Sequence, residues 1–170
     1  MTTWRSRQFS SGFSMIEVLV ALLIISIGVL GYAGLQLRAL VVTENAHYRT
    51  QAAAISQDII ERAAANPQQL QTYGSVGSWQ HALSDALPND WNRCVGAGVN
   101  CSPAQMAASD IQQVRWMARQ MLPEGQVQAR ACQNSLSLCV TVSWLNTPLD
   151  QCNPLSENCV QMEAVIWEAN

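Results

Sequence analysis

Two sets of residues in this 170-residue chain have the types and spacing to do chemistry: six cysteines, and one carboxylate inside an apolar run. The cysteines stand at 94, 101, 132, 139, 152 and 159, as three C-x6-C pairs. Six cysteines admit many pairings. The regular spacing favours the sequential one, Cys94–Cys101, Cys132–Cys139 and Cys152–Cys159. Each short loop would then contribute about 2.5 kcal/mol by chain entropy. Zinc is the rival use of paired cysteines, but structural zinc pairs usually stand about two to four residues apart. An even cysteine count points to an oxidising compartment.

Other reactive types are sparse. His47 and His81 are the two histidines, and both read as surface or interface residues. A Cys–His dyad is not expected, because every cysteine has a disulfide partner to hand. Asp150, Asn153, Glu157 and Asn158 offer oxygens but lack the spacing of a calcium loop. No glycine-rich phosphate loop follows a strand, and no serine sits in a nucleophile elbow. No catalytic residue, metal or cofactor is expected.

The carboxylate is Glu17, in Gly12-Phe13-Ser14-Met15-Ile16-Glu17, with apolar residues on both sides. The twenty residues from Val18 to Leu37 carry no charge. A helix of about 20 apolar residues spans a bilayer core. A carboxylate at the centre of such a helix costs about 2.5–3.5 kcal/mol. Glu17 lies near one end, where the cost is smaller but a partner is still needed. A cut between Gly12 and Phe13 would create an α-amino group four residues before Glu17. In a stacked assembly the amine of one subunit could meet Glu17 of its neighbour. Arg5 and Arg7 precede the run, so the N-terminus is expected to stay cytoplasmic. A cleaved secretory signal fits poorly. The apolar run is too long, and Ala52-Ala53-Ala54 lies too far downstream to be its cleavage site.

The segment resembles the class III prepilin signal of type IV pilins and pseudopilins, in its short basic leader, Gly12, Phe13, Glu17 and the apolar stretch that follows. The resemblance implies that a membrane prepilin peptidase cuts after Gly12 and N-methylates Phe13. It implies that the helix stays in the membrane until the subunit enters a filament, with Glu17 serving assembly. Many pilins carry a helix-weakening proline where this chain has Gly34. Gly28, Gly31 and Gly34 are not at the spacing of a GxxxG dimer motif. They read as small residues tolerated in a membrane helix, or as a segment that bends or partly unwinds during filament packing.

The elements that position these residues follow from periodicity. Val41, Tyr48, Ala52, Ile55, Ile59 and Ala63 recur at helical steps, so one helix is expected to continue to about Ala65. Asn66-Pro67 ends it, because a residue before proline avoids the helical region. From Phe13 such a helix would be about 80 Å long. Ser78 to Leu87, before Pro88, reads as a short helix capped by Ser78. Ser102-Pro103 starts another, with Ala107, Ile111, Val114, Ala118 and Met121 on one face and Pro123 and Gly125 at its end. Leu136, Leu138, Val140, Val142 and Trp144 alternate with Ser137, Cys139, Thr141 and Ser143, the pattern of a strand with a polar outer face. Val127-Ala129-Ala131 and Val160 to Trp167 are expected to flank it. Cys132–Cys139 would staple the outer face of that hairpin. Trp144 and Trp167 are expected in the core, while Trp79, Trp91 and Trp116 fit core or interface.

Composition agrees. Apolar residues make up 49% and charged residues only 12%, with net charge −3 and no lysine. No basic face is available for nucleic acid. The expected fold is α+β: a type IV pilin fold, with a long N-terminal helix packed on a small antiparallel sheet with short helices. Its expected parts are a leader over 1–12, a membrane or filament-core helix over 13–37, the amphipathic half over 38–66 and a periplasmic disulfide-bonded head over 67–170. The compact, cysteine-rich head is similar to those of PilV-type minor pilins. That resemblance implies a structural subunit that helps to prime pilus assembly at the tip and supports twitching motility and adhesion. The implied partners are other minor pilins, the major pilin, an inner-membrane assembly platform, prepilin peptidase and a tip adhesin. The implied location is the inner membrane, as a single-pass protein, and then the pilus. The Cys152–Cys159 loop resembles the disulfide-bounded region of many pilins and is expected to be a contact surface. Two rivals share these features: a minor pseudopilin of type II secretion, and a membrane-anchored periplasmic binding or sensor domain.

Overall fold

The computed structural model describes residues 12–80, 94, 96, 98–133, 137–153 and 156–165. The chain divides into two compact units, Met1–Thr43 and Glu44–Asn170. Helix α1 (Met15–Ala65) contributes residues to both.

In the first unit α1 carries no charge between Glu17 and Arg38 and is apolar on every side over that stretch. Leu22, Leu23, Ile24 and Ile25 are consecutive, and all are more than half exposed. A helix hydrophobic all round needs an apolar surrounding, and this is the stretch long and apolar enough to cross a membrane. Its hydroxyls are satisfied within the helix: Ser26 Oγ donates to the Leu22 carbonyl at 2.6 Å and Thr43 Oγ1 to that of Ala39 at 2.8 Å. Val41, expected on the packed face, is 67% exposed.

In the second unit α1 buries Ala52, Ile55, Ser56, Ile59 and Ala63, a stripe at helical spacing. The helix stops at Ala65, and a 3-10 turn (Pro67–Gln69) leads into the single-turn α2 (Leu70–Tyr73), which buries Leu70 and Tyr73. Ser78 does not cap a helix here. It lies inside a second 3-10 turn (Val76–Trp79), whose N-cap is Ser75. Trp79 decides this conformation, because its ring is buried and its Nε1–H donates to the Tyr73 carbonyl at 2.9 Å. Leu87 and Pro88 of the expected helix lie outside the described residues, as do His81, Trp91, Leu136, Pro154, Leu155 and Trp167.

Helix α3 (Pro103–Met121) begins with a capping box. Ser102 Oγ accepts from the Gln105 amide at 3.3 Å, and Gln105 Oε1 accepts from the Ser102 amide at 2.9 Å. Ala107, Ile111, Val114 and Ala118 are buried, while Met121 is 41% exposed. The chain then doubles back so tightly that a Cβ on Gly125 would stand 2.1 Å from the Ala118 carbonyl oxygen.

Strands β1 (Gln126–Ala131), β2 (Ser137–Ser143) and β3 (Cys159–Val165) form an antiparallel sheet in the order β1-β2-β3. Val127 faces Val142 and Ala129 faces Val140 across the first pair, and Val140 faces Met162 across the second. Leu138, Val140, Val142 and Trp144 join the α1 and α3 stripes and Tyr73 in one core. The expected polar outer face of β2 is corrected in part: Ser137, Thr141 and Ser143 are buried as well. A central strand has a neighbour on each side, and the turns carrying Val76 and Leu149 border the same face. Ser137 meets this burial by bonding the Glu163 carboxylate, whereas the buried Ser143 Oγ has no hydrogen-bond partner among the described residues.

Three disulfides are present: Cys94–Cys101, Cys132–Cys139 and Cys152–Cys159. The first closes the approach to α3, where the Cys94 amide donates to Ser109 Oγ at 3.3 Å. The second joins the residue after β1 to the middle of β2. The third joins the approach to β3 with its first residue.

Candidate assembly site

Of the N-terminal residues singled out by sequence, Gly12, Phe13 and Glu17 lie on one short segment of the first unit, and Arg5 and Arg7 lie outside the described residues. Gly12, Phe13 and Ser14 lie ahead of α1 without regular structure, and Phe13 is 84% exposed. The Ser14 carbonyl accepts the amides of Glu17 at 3.0 Å and Val18 at 3.4 Å, which starts the helix. Glu17 therefore sits in the first turn of α1. There the helix dipole favours a negative charge, which offsets part of the cost of a carboxylate beside apolar neighbours. The Gly12–Phe13 bond precedes regular structure and is exposed, the setting a peptidase needs. A Cβ at Gly28, Gly31 or Gly34 would meet nothing within 4 Å, so no contact in this unit requires those glycines.

In the second unit the Cys152–Cys159 loop is held from two sides. Ser156 N–H donates to the Asn153 carbonyl at 2.9 Å, and Asn153 N–H to Ser156 Oγ at 3.2 Å. From α1, Arg49 Nη2 donates to the carbonyls of Ser156 at 3.1 Å and Glu157 at 2.8 Å. A guanidinium thus already occupies backbone oxygens that a cation would want. Asn153 and Glu157 are exposed. Of the histidines, His47 is exposed on α1 and pairs with Gln51 at 2.9 Å. Among the described residues, the one grouping with metal-ligand types is Cys132, Cys139 and Glu163. Its two sulfurs are bonded to each other, so they offer no thiolate to a metal.

Sequence reasoning missed a charged cluster under the end of α1. Arg62 donates to Asp58 at 2.9 Å and, through Nη1, to Asp110 at 2.7 Å and Gln113 Oε1 at 3.0 Å. Tyr73 OH donates to the other Asp110 oxygen at 2.5 Å. Burial works against the Arg62 charge, but the hydrogen bonds to Asp58 and Asp110 outweigh it and leave the guanidinium pKa raised. Burial, and then the bond to Asp110, push the Tyr73 hydroxyl well above its ordinary value of 10.0. The cluster links α1, α2 and α3. The i,i+4 spacing of Asp58 and Arg62 was readable in the sequence, whereas Asp110 is 48 residues from Arg62. Arg49 was missed for the same reason: its acceptors are backbone carbonyls more than 100 residues away.

Two family models match the chain. One, described as a prokaryotic N-terminal methylation motif, covers residues 7–33. The other, described as type IV pilin Tt1218, covers residues 34–112. No curated protein and no solved structure matches it.

Proposed function

We propose that this chain, a type IV pilin-like structural subunit with a prepilin methylation motif and not an enzyme, is a minor pilin of a type IV pilus. Prepilin peptidase cuts between Gly12 and Phe13 and N-methylates Phe13. The apolar part of α1 holds the subunit in the inner membrane, with Arg5 and Arg7 on the cytoplasmic side and the second unit in the periplasm. On assembly the same helix leaves lipid for a filament core made of its equals. The observation that carries this reading is the exposed apolar stretch of α1 that follows Gly12-Phe13 and Glu17 without a charge as far as Leu37. Such a surface is unstable in water, and it suits both lipid and a bundle of like helices.

The Glu17 carboxylate meets the Phe13 amine of an adjacent subunit, so that each charge brought into apolar surroundings has a partner. The compact disulfide-bonded second unit supports a minor rather than a major role. It would join other minor pilins near the tip, prime polymerisation of the major pilin on the inner-membrane platform, and present a tip adhesin.

The test is intact mass and N-terminal sequencing of the protein recovered from membranes. The expected chain begins at methylated Phe13 and carries three closed disulfides. A chain still beginning near Met1 sinks the pilin reading and leaves a signal-anchored domain. In a deletion strain, loss of twitching supports the pilus. Loss of protein secretion with twitching intact would instead make the chain a pseudopilin.

A further inference from the structure

Beside the C-terminal half of α3 lies a cleft of about 660 Å³ that the assembly chemistry does not use. Its volume falls within the range of small-molecule sites. Two turns form its rim, one carrying Glu124 and Gly125 and the other Asn146 and Leu149. Glu124 has φ 54° and Asn146 has φ 56°, so two non-glycine residues hold left-handed backbones at the rim. The Leu145 amide donates to the Pro123 carbonyl at 2.9 Å and ties the two turns together. Gly125 admits no Cβ, which locks the first turn against α3. The rim is therefore preorganised.

The lining is chemically mixed. Among the described residues, Val127 and Leu149 are its only aliphatic side chains, whereas Gln120, Gln126 and Asn146 bring amides and Glu124 a carboxylate. Arg115 and Arg119 stand one turn apart on α3. Burial first, and the Arg119 charge second, depress the Arg115 guanidinium pKa. Arg115 is partly withdrawn from water while Arg119 is exposed beside it, and two like charges one turn apart favour an anion between them. Both arginines also interact within the chain, and a guanidinium with five donors can serve an internal acceptor and a ligand together. Trp116 is half-buried, and Trp79 is fixed as wall by its bond to the Tyr73 carbonyl.

A ligand suited to this set carries an anion for the arginines, a flat apolar face for an indole, and several hydroxyls that both donate and accept for the amides and Glu124. We propose that the cleft binds an acidic saccharide, a sugar ring bearing a carboxylate. Arg115 and Arg119 hold the carboxylate, and Trp116 packs on the apolar face of the ring. An acidic peptide fits less well, since two aliphatic side chains give apolar anchors little purchase and three amides would go largely unused.

The test titrates the full chain in detergent micelles with trigalacturonic acid, read by calorimetry and tryptophan fluorescence. Saturable binding is expected, with a clear preference over neutral maltotriose. Arg115→Gln and Trp116→Ala should each weaken it about tenfold or more, and Arg115→Gln should also remove the preference. Should Arg115→Gln lose the native near-ultraviolet dichroism, the exposed Arg119→Gln carries the same comparison. The proposal is overturned by absent or unsaturable binding, by equal binding of maltotriose, by tighter binding of the peptide Asp-Ala-Asp, or by unchanged affinity in the folded variants.

Discussion

Glu17, Arg49 and Tyr73 each show how one side chain can matter through its surroundings. Glu17 is a carboxylate in an apolar helix, tolerable when a cation stands beside it. Glu17→Ala should lower incorporation into filaments roughly tenfold, the effect of losing about 1.5 kcal/mol of charge pairing. Normal amounts of the variant in sheared pili would refute the pairing with a neighbour's amine. Arg49 clamps the Cys152–Cys159 loop by two carbonyls. Arg49→Ala should leave the fold intact and speed amide exchange at Glu157 and Asn158, and unchanged exchange would show that the disulfide alone holds the loop. For Tyr73 the sign is definite. Its folded pKa lies above the unfolded value of 10.0, so its contribution to stability is complete below about pH 10 and is lost as pH rises beyond that. Tyr73→Phe should cost about 1–2 kcal/mol at neutral pH by removing a donor from Asp110. It should also flatten the alkaline limb of a stability-against-pH curve, and an unchanged limb would assign that limb to other groups.

Among the elements, α3 and the sheet were largely legible, because their signals are local. Ser102-Pro103 announced the helix start, and the capping box is formed. Ala107, Ile111, Val114 and Ala118 announced its buried face. The alternation of Leu138, Val140 and Val142 announced β2, and its neighbours pair on both sides. What periodicity could not supply was the fate of the other face of β2. Alternation says which side chains share a face, and strand order decides whether that second face is covered. The short elements between α1 and α3 escaped for a related reason: Trp79 and Tyr73 set them by packing rather than by propensity. The turn after α3 can be tested directly. Gly125→Ala drives a methyl group into the Ala118 carbonyl, and thermal unfolding should show a loss of at least about 1–3 kcal/mol. A neutral result would mean that the turn yields easily, and the cleft would lose its fixed rim.

At the scale of the whole molecule, the two units answer to different solvents. Every buried residue among those described belongs to the unit Glu44–Asn170, and none to the first. A fragment beginning at Glu44 should therefore be soluble without detergent, with the three disulfides closed and a cooperative thermal transition. Aggregation of that fragment would show that the head needs residues upstream. The full chain should require detergent or lipid throughout.

The sequence by itself determined the features that need only neighbours along the chain. These are the apolar run after Glu17, the basic leader, the helical and two-fold periodicities, and the regular cysteine spacing from which a pairing could be argued. Each rests on covalent proximity or on one repeating backbone geometry, so a window of some twenty residues holds the whole signal. The tertiary structure alone decided which distant groups meet: Arg62 with Asp110, Arg49 with the carbonyls of the last disulfide loop, and the arginines of α3 with the indoles and strained turns of the cleft. Those meetings depend on how β2 is flanked and how α3 settles on the core. That choice is made by summed burial over the whole second unit, and no local window of sequence contains it.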